Sequence, residues 1–227
     1  MTTPNNGVKL IIFDKDGTLL DFHKMWMPYA TTTVRLLEAA TNLRVGPAIY
    51  KTLGVDPVAG KTFGLLPVEA DAIVQGCVPE ASPGEMSPVC DMPALFTTLK
   101  SMGIKIAVCT ADSRAATMDQ MNKMNVIPFL DDIICGNDVG IVPKPSPHCA
   151  IQICKRLGVE LKETLMVGDT IADLKMGKIA GLRASVAVMT GVGTRDTLAQ
   201  YSDYFLEDIS ELPHLITKTM TEDTKRG

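Results

Sequence analysis

Asp14 and Asp16 stand two residues apart in the run Asp14-Lys15-Asp16-Gly17-Thr18, and Asp169 and Asp173 stand four apart in Gly168-Asp169-Thr170-Ile171-Ala172-Asp173. Between them come Thr110-Ala111-Asp112-Ser113 and the lysine of Val142-Pro143-Lys144-Pro145. Carboxylates drawn into one crevice repel unless a cation sits among them, and hard oxygen donors suit Mg²⁺, which takes one or two carboxylates directly and keeps several waters. A lysine held between two prolines has a restrained backbone. Its ammonium could offset charge on a carboxylate and on an anionic substrate. Thr110 offers a hydroxyl to phosphate oxygens, with backbone N–H groups such as that of Ala111 beside it. Taken singly, each cluster has a plainer reading: an acidic turn, a capped helix, an N-cap for Thr110, a solvated lysine. An EF-hand is excluded for the first cluster, because its sixth and twelfth positions hold Leu19 and Met25 rather than Gly and Glu.

What lifts these residues above the plainer readings is the elements that carry them. Val8 to Phe13, broken only by Lys9, reads as a short buried strand ending in Asp14. Ile104 to Cys109 reads as a second strand and ends in Thr110; Thr164 to Val167 reads as another and runs into Gly168-Asp169. Further strands are predicted over Asp132–Cys135, Arg183–Val188 and Tyr204–Leu206. Helices are predicted between them, over 93–102, 115–125, 147–157, 174–180, 194–200 and 211–219, with Gly103, Gly158 and Gly181 as stops. This alternation predicts an α/β fold built on a doubly wound parallel sheet. The three strand ends then lie side by side at one edge, where open α/β sheets bind their ligands.

Residues 21–90 break the alternation. Helices are predicted over 25–42, 47–52 and 67–74, with Pro28 near the start of the first and Gly54 and Gly76 as later stops. A proline-rich linker follows over 77–93. The domain reading is therefore a core of residues 1–20 and 91–227 with a small all-helical insert of residues 21–90. The tail from Thr221 to Gly227 is expected to be disordered.

Composition narrows the function classes. The 227 residues carry a net charge of −4 and hold no basic block, which argues against nucleic acid or an anionic membrane as the main partner. The apolar runs are of strand length, so no membrane span is expected. Met1 to Gly7 lacks the basic and apolar regions of a signal peptide. Six cysteines without a C-x-x-C pair read as reduced thiols, and a cytoplasmic location is the expectation. His23, His148 and His214 have no metal-ligand spacing; His148 could be peripheral to a site.

The set Asp14-Lys15-Asp16-Gly17-Thr18, Thr110, Lys144-Pro145 and Gly168-Asp169-Thr170-Ile171-Ala172-Asp173 resembles the four motifs of the haloacid dehalogenase-like hydrolase superfamily, in order, over Val8 to Gly181. The helical insert resembles the cap of the phosphoglycolate phosphatase-like subgroup. The resemblance implies a Rossmann-like core and a Mg²⁺-dependent phosphatase acting on a small-molecule phosphate monoester, phosphoglycolate-like or a sugar phosphate. Asp14 would be the nucleophile that forms an aspartyl-phosphate. Asp16 would protonate the leaving alcohol and then activate water. Asp14, the backbone carbonyl of Asp16, Asp169 and Asp173 would hold Mg²⁺, and Thr110, Ala111 and Lys144 the phosphoryl group. An acid two residues past the nucleophile favours phosphoryl transfer over carbon–halogen cleavage. Alternatives are a sugar-phosphate mutase of the same fold or a non-catalytic phosphate-binding protein. Two departures stand out: Lys15, where the family usually has an apolar or aromatic residue and whose ammonium is expected to point away from the site, and Asp112, an extra negative charge near the phosphate. Arg35, Arg44, Lys51 and Lys61 are cap candidates for an anionic substrate end, and Phe22, His23 and Trp26 for the pocket entrance. Gly191-Val192-Gly193 reads as a turn.

Overall fold

In the computed structural model, residues 7–53, 55–56, 61–62 and 86–223 are described. The chain divides into two compact units, Met1–Leu19 with Pro88–Gly227, and Leu20–Ser87.

The first unit is organised around strand β1 (Leu10–Phe13), whose four side chains are fully buried. It continues through α1 (Met92–Ser101), β2 (Lys105–Cys109), α2 (Arg114–Lys123), β3 (Asp132–Ile134), α3 (His148–Leu157), β4 (Thr164–Gly168), α4 (Ile171–Ala180), β5 (Ala184–Val188), the short α5 (Arg195–Leu198), β6 (Tyr204–Leu206) and α6 (Leu212–Asp223). All six strands are parallel, in the order β3-β2-β1-β4-β5-β6. Ile12 is registered between Ala107 and Met166, and Phe13 between Val108 and Val167. The chain steps outward from β1 to β3 and then returns to the other side of β1, so the winding direction reverses between β1 and β4. A crevice opens at such a reversal beyond the carboxyl ends of the strands.

Alternation along β1 splits its side chains between two faces. Leu10 and Ile12 pack with Ile153 of α3 and Met176 of α4. Phe13 meets Phe96 of α1 at a ring separation of 5.6 Å. Helices therefore cover the sheet on both sides, as the α/β alternation predicts.

Two boundaries of this unit differ from expectation by three residues or more. Helix α4 begins at Ile171, not Leu174, because Thr170 caps it and Asp173 completes a reciprocal capping box. Helix α6 runs on to Asp223, past the expected end at Thr219 and into the tail expected to be disordered, since no glycine or proline intervenes to stop it.

The second unit contains helices Phe22–Thr41 and Gly46–Leu53, joined through packing of Ala30 with Met27, Ile49 and Tyr50. Asp21 caps the first by accepting from the Lys24 N–H at 3.1 Å. The helix therefore starts three residues earlier than expected and Pro28 falls inside it rather than near its start. The insert is not all-helical: Val55–Asp56 pairs antiparallel with Lys61–Thr62. Two-residue strands are too short to register as an alternating pattern. The predicted helix over 67–74, the stops Gly54 and Gly76, and residues 77–85 of the linker lie outside the described residues. No described helix is long and apolar enough to cross a membrane.

Candidate active site

Asp14 is the first residue past β1, and its N–H donates to Val167 O at 2.9 Å, which ties it to the neighbouring strand end. Asp169 follows β4 directly, and Asp173 sits in the first turn of α4. All three are buried, and each presents a carboxylate oxygen within 4.8 Å of the others. Lys144 reaches into this group from the segment between β3 and α3. Its ammonium donates to Asp14 Oδ1 and Asp173 Oδ1, each at 2.6 Å, and to Cys109 O at 3.2 Å. Three donors thus meet three acceptors, the full capacity of an ammonium.

Asp173 and Asp169 are also held from behind. The Thr170 N–H donates to Asp173 Oδ2 at 3.1 Å and the Thr170 hydroxyl donates to the same oxygen. The Val192 N–H donates to Asp169 Oδ2 at 2.9 Å, and Thr18 Oγ1 stands 3.5 Å from Oδ1. Two glycines make room for Asp169. A Cβ at Gly17 would lie 2.4 Å from Oδ2, and φ of +82° there is open chiefly to glycine; a Cβ at Gly191 would lie 1.9 Å from the same oxygen.

Burial, with Asp173 nearby, pushes Asp14 up to about 7 against the pull of Lys144. Burial likewise drives Asp169 well above the usual carboxylate range, with Asp14 and Asp173 adding to it. For Lys144, burial alone would lower the ammonium, but Asp14 and Asp173 outweigh it and hold it well above the ordinary value. Three carboxylates face one ammonium, which leaves two negative charges uncompensated when all are ionised. A divalent cation with hard-oxygen preference fits that donor set and that deficit.

Asp16 belongs to a second group. Its Oδ1 accepts from Lys15 Nζ at 2.7 Å, and the same ammonium lies 3.1 Å from Asp112 Oδ2 and donates to Gln120 Oε1. Lys15 is 1% exposed, so the expectation that it points away from the site is wrong. Burial would lower its ammonium, but Asp16 and Asp112 raise it. Asp16 is raised by burial despite the opposing Lys15. Asp112, the other departure, is half-buried; its Oδ1 also accepts from the Ser113 N–H at 2.7 Å. Thr110 follows β2 directly, next to β1, and its Oγ1 accepts from the Asp112 N–H at 3.1 Å.

A family model described as haloacid dehalogenase-like hydrolase matches residues 8–181. The chain belongs to the haloacid dehalogenase-like hydrolase family. Among curated relatives, the "Probable phosphatase IndB" of Dickeya dadantii is 33% identical over 83% of this chain and 84% of its own length. The "Phosphoglycolate phosphatase" of Aquifex aeolicus is 27% identical over 95% of this chain and all of its own. In three dimensions, a HAD-superfamily hydrolase of subfamily IA from Geobacter sulfurreducens superposes with a TM-score of 0.63 at 18% identity, covering 95% of this chain and 100% of the other; that likeness carries the fold. This chain is a phosphatase-type hydrolase.

Of the residues singled out in the hydrolase's sequence, Asp14, Lys144, Asp169 and Asp173 come together directly, and Thr110 stands on the adjoining strand end. Ala111 is exposed beside it. Asp16 stands apart from the three-carboxylate group, its side chain turned to Lys15. His148 is structural: its Nδ1 accepts from the Val142 N–H at 3.0 Å. Cys90, Cys109, Cys135, Cys149 and Cys154 are free thiols. In the insert, Arg35, Arg44 and Lys51 are exposed, and the side chain of Lys61 lies outside what is described. The Phe22 ring meets His23 edge-to-face at 6.2 Å and Trp26 at a tilt at 6.0 Å. Sequence reasoning missed Thr170, Gly191 and Val192. The capping pattern of Thr170 with Asp173 was a readable signal. Val192 acts through its backbone N–H, which leaves no trace in residue type. Gly136 was missed as well: a Cβ there would lie 1.9 Å from Ala111 O, so it lets the Thr110-Ala111 turn approach β3.

Proposed function

We propose that this enzyme hydrolyses a small-molecule phosphate monoester with Mg²⁺ bound, by way of an aspartyl-phosphate on Asp14. The observation that carries the reading is the shared ammonium of Lys144, 2.6 Å from both Asp14 and Asp173 inside a buried acidic group. A carboxylate that attacks an anionic phosphate needs its own charge offset and its position fixed, and Lys144 does both. Asp14, Asp169 and Asp173 would hold the metal, with the Asp16 carbonyl as a further donor; bound there, Mg²⁺ supplies Lewis-acid stabilisation of charge on the phosphoryl oxygens.

A carboxylate oxygen of Asp14 forms a bond to phosphorus as the bond from phosphorus to the ester oxygen breaks. Asp16, raised by its burial, is suited to hold the proton that the departing alkoxide takes. It then accepts a proton from the water that attacks the aspartyl-phosphate. Inorganic phosphate leaves and Asp14 is regenerated. Thr110 and the Ala111 N–H are the donors assigned to the phosphoryl oxygens. The name of the Aquifex aeolicus relative supports a substrate of the phosphoglycolate kind.

The test is phosphate release from a panel of phosphate monoesters, with and without Mg²⁺, in the native protein and in Asp14→Asn. Release should depend on Mg²⁺ and fall by at least about 10³-fold in the variant. Release untouched by Asp14→Asn would overturn the nucleophile. No release from any ester with Mg²⁺ bound would favour a mutase, which returns the phosphoryl group to an alcohol rather than to water.

A further inference from the structure

Lys15 has no task in the chemistry above, yet it is among the most deeply buried charged side chains of the described residues. It does not reach substrate, because its three donors are taken by Asp16 Oδ1, Asp112 Oδ2 and Gln120 Oε1. Nor is stability a sufficient reason for it, since an apolar side chain of similar volume in place of a buried ion pair is often neutral or better.

What the arrangement does achieve is an unequal treatment of the two oxygens of Asp16. Oδ1 is bound to the ammonium, whereas Oδ2 receives no hydrogen bond from the described residues. A free carboxyl rotates about its last bond and presents either oxygen. One tied at Oδ1 presents Oδ2 alone, in a fixed direction. We propose that Lys15 is a positioning residue for Asp16: it anchors Oδ1 so that Oδ2 carries the proton to the leaving alcohol and takes it back from water.

Asp112 fits the same scheme. Its carboxylate shares the Lys15 ammonium, so that the ammonium is held from a second side and stays on Asp16 Oδ1. The Asp112 N–H binds Thr110 Oγ1, so one chain of contacts runs from the proton-transfer group to the hydroxyl assigned to the phosphoryl group. Gln120 of α2 supplies the third acceptor and fixes Lys15 to a helix of the core.

The inference rests on Asp16 being the acid and base proposed above, and the experiment separates the two ideas. Measure kcat/KM with Mg²⁺ across aryl phosphates from p-nitrophenyl to phenyl phosphate, for the native protein, Asp16→Asn and Lys15→Met. Protonation matters little when p-nitrophenolate leaves and much when phenolate does. Asp16→Asn should therefore steepen the dependence on leaving-group basicity. Lys15→Met should steepen it in the same sense, losing about 10-fold on p-nitrophenyl and about 100-fold on phenyl phosphate, with KM changed by no more than about twofold. A uniform loss across the series in Lys15→Met, beside a steepened Asp16→Asn, would overturn the role of Lys15 and leave Asp16 intact. No steepening in Asp16→Asn would overturn the acid itself and the inference with it. Should Lys15→Met fail to fold, the double variant Lys15→Met/Asp112→Asn decides, since it removes the ammonium together with the carboxylate that would be left without it; a steeper series supports the inference and a uniform loss or an unchanged series overturns it.

Discussion

Two buried lysines stand at the carboxyl edge of this sheet, and each joins two aspartates. Lys144 binds Asp14 and Asp173, and Lys15 binds Asp16 and Asp112. The difference is in what remains. Around Lys144 a third buried carboxylate, Asp169, leaves the group with two negative charges in excess when all are ionised. Around Lys15 the surplus is a single charge, and one of its carboxylates, Asp112, is 34% exposed, where water screens it. In the proposed reaction the first group receives the cation and the phosphoryl group. The second is nearly balanced already and fixes a direction. The same residue type thus offsets charge in one place and sets geometry in the other.

The strongest way to break this contrast is Lys144→Met. If Lys144 offsets charge on the nucleophile, its loss should lower kcat/KM by about 10³-fold and by the same factor for every aryl phosphate. A loss that grew with leaving-group basicity would make the two lysines alike and dissolve the comparison.

Metal removal tests the charge deficit. Asp14, raised to about 7, and Asp169, raised well above its ordinary range, leave the metal-free protein with their full contribution to stability only below about 4, where the unfolded carboxylates are protonated as well; that contribution is lost as pH rises from there through the raised values. A metal that binds the ionised forms has the opposite slope. At 100 times its dissociation constant Mg²⁺ should add about 2.7 kcal/mol, or about 5–10 °C in Tm for a chain of this size. The increment should be larger at pH 8 than at pH 5, by thermal melting with and without Mg²⁺. An increment that shrinks with rising pH would sink the assignment. Gly191→Ala attacks the same group from its backbone side. Its Cβ would lie 1.9 Å from Asp169 Oδ2, so the carboxylate must move, and Mg²⁺ affinity should fall about 10- to 100-fold by titration of activity. Unchanged affinity would show that Asp169 has other room.

Much of this was legible before any coordinates. The apolar run ending at Phe13, and the two further runs ending at Cys109 and Val167, fix three neighbouring strand ends because parallel strands must be buried on both faces. The residues just past each end then share one crevice, which brought Asp14, Thr110 and, after Gly168, Asp169 together. Lys15 was read wrongly for a reason that parity could have exposed. It continues the alternation of Ile11 and Phe13 on the side facing α1, where a lysine stays buried only if partnered. The partners Asp112 and Gln120 come from 97 and 105 positions away, beyond any local pattern. The Val192 N–H and the space at Gly191 and Gly136 are backbone properties, and residue type does not announce which acid a backbone will meet.

The smallest effects come from the helix caps behind each lysine, and they sharpen the contrast most finely. Thr170 caps α4 and Ser113 caps α2, each by accepting from the N–H three residues on. Removing either hydroxyl should cost about 1 kcal/mol, a loss of about 2–4 °C in Tm. Beyond stability the two should part. Thr170→Ala also takes a donor from Asp173 Oδ2, leaving the Thr170 N–H at 3.1 Å as its remaining support on that oxygen, so Mg²⁺ affinity should weaken along with Tm. Ser113→Ala leaves the Ser113 N–H on Asp112 Oδ1 and touches neither Lys144 nor the three acids, so its Mg²⁺ titration should overlay the native curve. Equal metal effects from the two variants would mean that the caps act only through helix stability, and that the orientation of Asp173 does not depend on Thr170.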